Sequence, residues 1–236
     1  MDSHFLFYVE PESVSGNTVT FSEHEVHHMS RVLRKKEGDG ILVTNGCGYR
    51  FEVILQRIEK KRATGIIQKA EKLSVGRHIT LAMGVIRQKD RLEYAIEKAV
   101  ELGVSRILLV HSEFAGKVRV KEARIEGAIL SAMKQSGRCY KPEWGVSSSF
   151  QEAIEAWMKK DDLLYYGEME GEHPMTLTRE NVPAFLVIGP EGGLSGNEVH
   201  YLKESGGHPV RLGSARLRAE TAVCAMMAFA AMTQER

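Results

Sequence analysis

Gly189-Pro190-Glu191-Gly192-Gly193 puts three glycines, a proline and a glutamate into five consecutive positions. An apolar run ending in Ile188 precedes them and reads as a buried strand. Ser195-x-x-Glu198 follows and has the form of a capping box that opens a helix. In α/β sheets, ligands bind at the carboxyl ends of strands, where glycines let backbone approach them closely. A tight strand-to-helix turn is the plainer reading, but it needs fewer glycines, so a ligand loop is favoured. The loop is not a P-loop, because no Gly-Lys-Ser/Thr follows, and it is not GxGxxG.

A second strand-loop-helix runs from Leu212 to Ala222 and carries Arg216 and Arg218, with Glu220 just beyond. Glu220 suits a helix N-terminus, where its charge complements the dipole. Arg218 could equally form a salt bridge to Glu220 or Glu191. Arg87, Lys89 and Arg91 cluster where a helix should begin, which is unfavourable for the dipole unless an anion offsets it. Gln135-Ser-Gly-Arg138 adds amide, hydroxyl and guanidinium groups near a helix end. His27-His28-x-x-Arg31-Val-Leu-Arg34-Lys35-Lys36 groups cations in a way that suits phosphate contacts. His28, Arg31, Arg34, Lys36, Arg87, Lys89, Gln135 and Arg138 are the groups of these clusters that could meet a polyanion. The histidines lack a metal site's partner spacing, so no metal is expected.

Two kinds of architecture must position these groups. Residues 1–72 read as short strands: Phe5–Val9, Thr18–Phe21, Ile41–Thr44, Tyr49–Ile54 and Thr64–Lys69. That spacing suggests a small barrel. Ser22-x-x-Glu25 predicts a capped helix bearing Val26, Met29, Val32 and Leu33 on its apolar side. From residue 73, strands and helices alternate, which predicts an α/β layer with a mostly parallel sheet. Strands are expected at Ile79–Val85, Val104–Val110, Leu163–Tyr166, Ala184–Ile188 and Pro209–Leu212. Helices are expected at Asp90–Leu102, Glu122–Ser136, from Ser149 through Met158, at Glu198–Glu204 and at Glu220–Met232.

The chain has 236 residues, with 32 basic and 31 acidic side chains. It needs no disulfide or metal to build a core. The near-zero net charge conceals sorting, since residues 76–142 carry 13 basic and 7 acidic groups while 143–236 carry 8 and 14. The middle could offer a basic face to a polyanion, or the two segments could simply face each other. Three scattered cysteines argue against a disulfide framework and fit a reducing cytoplasm. Met1–His4 lacks a leader-like pattern, and no apolar run is long enough to span a membrane.

Taken in order, these segments resemble the RsmE family of ribosomal RNA uridine-N3 methyltransferases. The resemblance rests on His28-x-x-Arg31-Val32-Leu33-Arg34, Lys98–Val104, Gln135–Arg138, Ile188–Gly193 and Leu217–Ala222. It covers essentially the whole chain. It implies a PUA-like RNA-binding β-barrel over 1–72 and a SPOUT α/β methyltransferase domain over 73–236, with a deep C-terminal trefoil knot. It further implies a homodimer acting on ribosomal RNA or the small subunit, with S-adenosylmethionine bent into the knot. Gly167, Ile188, Gly189, Pro190, Glu191, Gly192, Gly193, Leu212, Gly213 and Leu217 would hold that cofactor. Phe114, Lys134, Ala215 and Arg216 depart from the usual pattern.

The implied reaction is methylation of N3 of a uridine in small-subunit (16S) ribosomal RNA. N3 must lose a proton, and its anion needs stabilisation, for which a guanidinium is suited. Arg218 is the expected catalytic cation, with Glu220 orienting it or accepting the proton. Two other readings stay open at this point. One is a non-catalytic RNA-binding or ribosome-assembly factor. The other is a SPOUT methyltransferase for another RNA position.

Overall fold

The computed structural model describes residues 5–74, 76–115, 118–173 and 182–232. Met1–His4, read above for a leader, lie outside them. The chain forms two compact units, Met1–Val75 with Leu130–Lys141, and Gly76–Ile129 with Pro142–Arg236. Segment 130–141 thus joins the first unit, although it lies well inside the span that alternates strands and helices.

In the first unit, β1 (Leu6–Tyr8), β2 (Val14–Ser15), β3 (Thr18–Phe21), β4 (Gly40–Thr44), β5 (Tyr49–Ile58) and β6 (Ala63–Lys72) form one sheet. Its order is β1-β4-β5-β6-β3-β2. Among these strands only the β1–β4 pairing is parallel. Strands β3, β4 and the first half of β5 alternate buried and less buried residues, the period of a sheet with one covered face. Phe7, Phe21, Val43, Phe51 and Leu55 meet in a single core, which also takes Val26 and Met29. Strand β2 leaves no trace in the sequence pattern, being only two residues long.

Two local expectations fail here. The helix starting at Ser22 is short, α1 (Glu23–His27), and passes into a π-helical turn over His28–Val32. The wider turn changes the angular step per residue, so Val32 faces solvent at 60% exposure instead of packing. Ser22 does cap α1 by accepting the Glu25 N–H, but the Glu25 carboxylate does not return to Ser22. It turns instead to Lys134, whose Nζ lies 2.7 Å from Oε1. Both partners are largely buried, and Glu25 Oε2 has no hydrogen-bond partner.

In the second unit, the parallel strands are β7 (Ile79–Gly84), β8 (Arg106–Val110), β9 (Glu143–Ser147), β10 (Leu163–Glu172), β11 (Ala184–Ile188) and β12 (His208–Val210). They run in the order β12-β10-β11-β7-β8-β9. Three of the four interior strands, β7, β8 and β11, are buried at every residue, so their sequences are near-continuous apolar runs rather than alternations. Edge strand β9 carries exposed positions and gives no such signal. Helices α2 (Lys89–Glu101), α4 (Phe150–Trp157), α5 (Gly196–Glu204) and α6 (Ala219–Met232) connect or follow the strands, while α3 (Glu122–Ser136) begins in this unit and ends in the first. Helix α2 buries Leu92, Ala95, Ile96, Ala99 and Val100 on the expected face. It stops at Gly103, whose φ is +98°. There the Val104 N–H reaches the Ala99 carbonyl and the Gly103 N–H reaches Val100, closing a Schellman motif.

Lys134→Ala leaves the Glu25 carboxylate buried without its counter-ion. It is expected to lower the unfolding free energy by about 2–3 kcal/mol, somewhat less than for a fully buried pair because Lys134 is partly exposed. Urea denaturation measures this, and replacing both residues by apolar ones should restore most of the loss. Burial, and secondarily the Lys134 ammonium, hold the His28 imidazole below its ordinary pKa. The same Lys134→Ala change should therefore move the His28 titration midpoint upward in an NMR titration.

Candidate cofactor cavity and RNA-facing groups

The carboxyl ends of β10, β11 and β12 lie side by side because these strands are neighbours in the sheet. The chain leaving them lines a cavity of about 260 Å3. All ten residues expected to hold a cofactor line it: Gly167, Ile188, Gly189, Pro190, Glu191, Gly192, Gly193, Leu212, Gly213 and Leu217. Glu168, Met169, Leu194, Val210, Ala215, Arg216, Ala219 and Ala222 complete the lining. These additional residues carry no glycine or charge signature that separates them from ordinary loop and helix positions, Glu168 and Arg216 excepted.

The glycines are required by contact. A Cβ on Gly189 would stand 2.6 Å from the Gly193 carbonyl carbon and 2.8 Å from the Leu194 nitrogen. Gly193 has φ +82°, a left-handed conformation that its N–H uses to reach the Pro190 carbonyl. Ser195 then begins α5 with a complete capping box, its side chain accepting the Glu198 N–H while Glu198 accepts the Ser195 N–H. The loop is therefore closed on itself before it meets anything else.

Glu191 ties the loop to its surroundings. Its Oε1 accepts the Arg87 N–H at 3.1 Å, and its carbonyl accepts from Arg216 Nη2 at 3.3 Å. Arg87 in turn donates from Nε to the Ala115 carbonyl. Phe114, on the turn after β8, packs against the backbone of Gly192 so closely that a Cβ there would lie 2.7 Å from Phe114 Cβ.

Arg218 is exposed, and among the described residues no ion pair or side-chain hydrogen bond engages its guanidinium. Neither salt bridge open to Arg218 in the sequence, to Glu220 or to Glu191, is formed. Glu220 is 8% exposed in the first turn of α6, with Oε1 3.5 Å from Arg91 Nε of α2. Its other oxygen is buried without a hydrogen-bond partner. Sequence proximity suggests the wrong cation: two near neighbours in the chain point apart, whereas α2 packs on α6. The same pairing answers the excess of cations at the start of α2, because Arg91 finds a carboxylate within the fold.

Arg87 and Lys89 line a second, larger cavity of about 530 Å3 together with Arg119 and Lys121, over apolar Ile86, Leu92 and Val118, and with Arg124, which Glu93 of the same lining engages. In the sequence, Arg119, Lys121 and Arg124 read only as an ordinary charged helix start. The remaining RNA-contact candidates belong to the first unit. Arg31, Arg34, Lys36 and Gln135 are exposed there, while His28 and Arg138 are half-buried. Arg34 has φ +52°, alone among the described non-glycine residues in that region, so its backbone is held at a conformational cost. Burial lowers the Arg138 pKa. Among the described residues there is no group of three or more metal-ligating side chains, and no helix is long and apolar enough to cross a membrane.

The comparisons with known proteins agree with this geometry. A family model described as an RNA methyltransferase domain matches residues 54–231, and one described as an RNA methyltransferase PUA domain matches 21–68. A ribosomal RNA small subunit methyltransferase E from Rickettsia conorii is 29% identical over 88% of this chain and 86% of its own. The structure of the corresponding Neisseria gonorrhoeae enzyme, bound to S-adenosyl methionine, superposes with TM-score 0.83 at 30% identity over 95% of each chain. The chain belongs to the RsmE family. A probable rRNA-methyltransferase from Porphyromonas gingivalis gives TM-score 0.87 at 29% identity over 98% of each chain. The fold class is accordingly a SPOUT α/β-knot domain preceded by a PUA-like domain.

Gly189→Ala is expected to destabilise the protein by roughly 1–3 kcal/mol, since its Cβ would meet backbone that cannot swing aside. Gly196→Ala, at a helical position with open space around it, should be neutral or slightly stabilising. Thermal denaturation of the two variants provides the comparison.

Proposed function

We propose that this protein transfers a methyl group from S-adenosylmethionine to N3 of a uridine in small-subunit ribosomal RNA. The observation that carries the reading is the convergence of the ten expected cofactor residues on one cavity at the sheet's carboxyl edge. Membership of the RsmE family supports it, as does the likeness to a relative whose structure holds S-adenosyl methionine.

The cavity's residues suit that cofactor. Ile188, Val210, Leu212 and Leu217 offer apolar surface for a purine ring and methylenes, and the glycines let the loop backbone itself line the cavity. A Cβ at Gly167 would stand 3.0 Å from Ile188 Cδ1 and 3.5 Å from Leu212 Cδ1, filling space between two cavity walls. When bound, the cofactor supplies a methyl group on a sulfonium, which needs neither metal nor acid to leave.

The protein's tasks are then to orient the base, remove the N3 proton and stabilise the resulting anion. Arg218 is free of internal partners and always charged, so it can donate to a uracil oxygen as negative charge develops. Glu220 pairs with Arg91 through one oxygen and keeps the other buried, so its part is to fix the helix that follows Arg218 rather than to meet the base. Methylating the pairing edge requires an unpaired or extruded base. Phosphates of the strand are held by Arg34, Lys36 and Arg138 of the first unit, with His28, Arg31 and Gln135, and separately by Lys89 of the second unit, with Arg87.

The protein works as a homodimer in the cytoplasm, where the ribosomal subunit is found. Light scattering of the purified protein tests the dimer. For the reaction, labelled S-adenosylmethionine is incubated with small subunits lacking their own uridine-N3 methylation. Labelled 3-methyluridine is expected. Label in another nucleoside would overturn the target, and no label without cofactor binding would overturn the enzymatic reading. Arg218→Ala should lower turnover at least 100-fold while leaving cofactor affinity within about 2-fold. Equal losses in both would make Arg218 a cofactor-binding or structural residue.

A further inference from the structure

Phe114 is a large apolar side chain left 48% exposed on the turn that follows β8. The turn is fixed by the Ala115 N–H donating to the Ser112 carbonyl. One edge of the residue is committed to the cofactor loop. From a Cβ built on Gly192, Phe114 Cβ, Cγ and Cδ2 would lie at 2.7, 3.2 and 3.4 Å. A side chain at 192 would push the ring away, so the bare glycine seats it. The rest of the ring faces outward.

Its location relates the two cavities of the second unit. Gly192, which Phe114 covers, lines the cofactor cavity, and Ala115, its chain neighbour, lines the basic one. Arg87 bridges the same wall, donating its N–H to Glu191 and its Nε to the Ala115 carbonyl. An exposed aromatic thus stands between a cavity suited to the methyl donor and a groove carrying Arg87, Lys89, Arg119 and Lys121. An aromatic face beside cations is the arrangement that binds single-stranded nucleic acid. Bases stack on the ring while the cations hold the backbone.

We propose that Phe114 is the platform on which a nucleobase of the RNA substrate stacks, with that nucleotide's phosphate held in the basic groove. The ring fixes the height of the strand over the cofactor loop and so presents the target base at the cavity mouth. Phe114 is a positioning residue, since it touches RNA but no reacting atom. The inference rests on the proposed RNA methylation, and its test separates the two.

Three variants, Phe114→Ala, Phe114→Leu and Phe114→Trp, are compared with the unmodified protein. The readouts are KM and kcat on unmethylated small subunits, affinity for a fluorescein-labelled single-stranded RNA with a central uridine, and affinity for S-adenosylmethionine. Stacking predicts that Phe114→Ala and Phe114→Leu raise KM and weaken RNA binding about 10-fold or more, with cofactor affinity within about 2-fold. Phe114→Trp should stay within about 3-fold of the parent, and its indole fluorescence should be quenched when RNA binds. If Phe114→Leu matches the parent, the ring is only an apolar cover for Gly192, and the proposal falls. A Phe114→Trp variant that binds RNA normally without quenching overturns it too, even if the alanine variant folds poorly. Failure of the unmodified protein to methylate any subunit would instead overturn the functional reading. Methylation by the parent with unchanged variants would overturn only the role of Phe114.

Discussion

A Cβ at position 189 would stand 2.6 Å from the carbonyl carbon of Gly193, and the geometry of the cavity follows from that prohibition. The chain leaves β11, reverses within a few residues and enters α5, with its backbone nearly in contact with itself. Only glycine at 189 and a left-handed glycine at 193 permit the reversal. The reversal exposes peptide groups to the cavity that β10 and β12 flank. The parallel sheet contributes by alignment, because neighbouring parallel strands end on the same side. Loops distant in sequence therefore arrive at one edge.

Electrostatics then fastens this edge from two directions. Glu191 accepts from the Arg87 backbone and lends its carbonyl to Arg216, so the glycine loop is joined to the loops after β7 and β12. Glu220 joins α6 to α2 through Arg91. Neither contact is a strong surface ion pair, and exposed pairs contribute little to stability. Their effect is positional. With Glu220 engaged elsewhere, Arg218 is left free at the cavity's margin.

What can be read from the sequence divides along a physical line. Requirements local to the chain are legible. The glycine loop, the Ser195 capping box, the apolar face of α2 and the buried runs of β7, β8 and β11 all express the needs of consecutive residues. Contacts chosen in three dimensions are not. Glu25 follows a helix-capping pattern, yet its carboxylate is taken by Lys134, more than a hundred positions away. A nearby ammonium in a buried setting outcompetes a backbone N–H. Glu220 looks like the partner of Arg218, but helix packing brings Arg91 instead. The π turn at His28–Val32 escapes because its residue types are those of an α-helix, so the pattern places Val32 inward. The seating of Phe114 on Gly192 has no sequence signal, since it joins two loops of no fixed spacing.

The first unit is discontinuous, and this bears on how the protein is made. Glu25 lacks its counter-ion until Lys134 has been synthesised. The β4–β5 turn has a similar wait: the Gly46 carbonyl receives the Lys141 N–H, and the Gly48 N–H donates to the Cys139 carbonyl. Tyr140 lies over Gly48 and donates its hydroxyl to the Leu73 carbonyl. At a synthesis rate of about 5–20 residues per second, some seconds separate the emergence of β6 from that of these closing residues. The N-terminal sheet therefore leaves the ribosome before it can be finished. The unit that comes first in the chain is completed only when residues 130–141, made after the start of the second, have emerged.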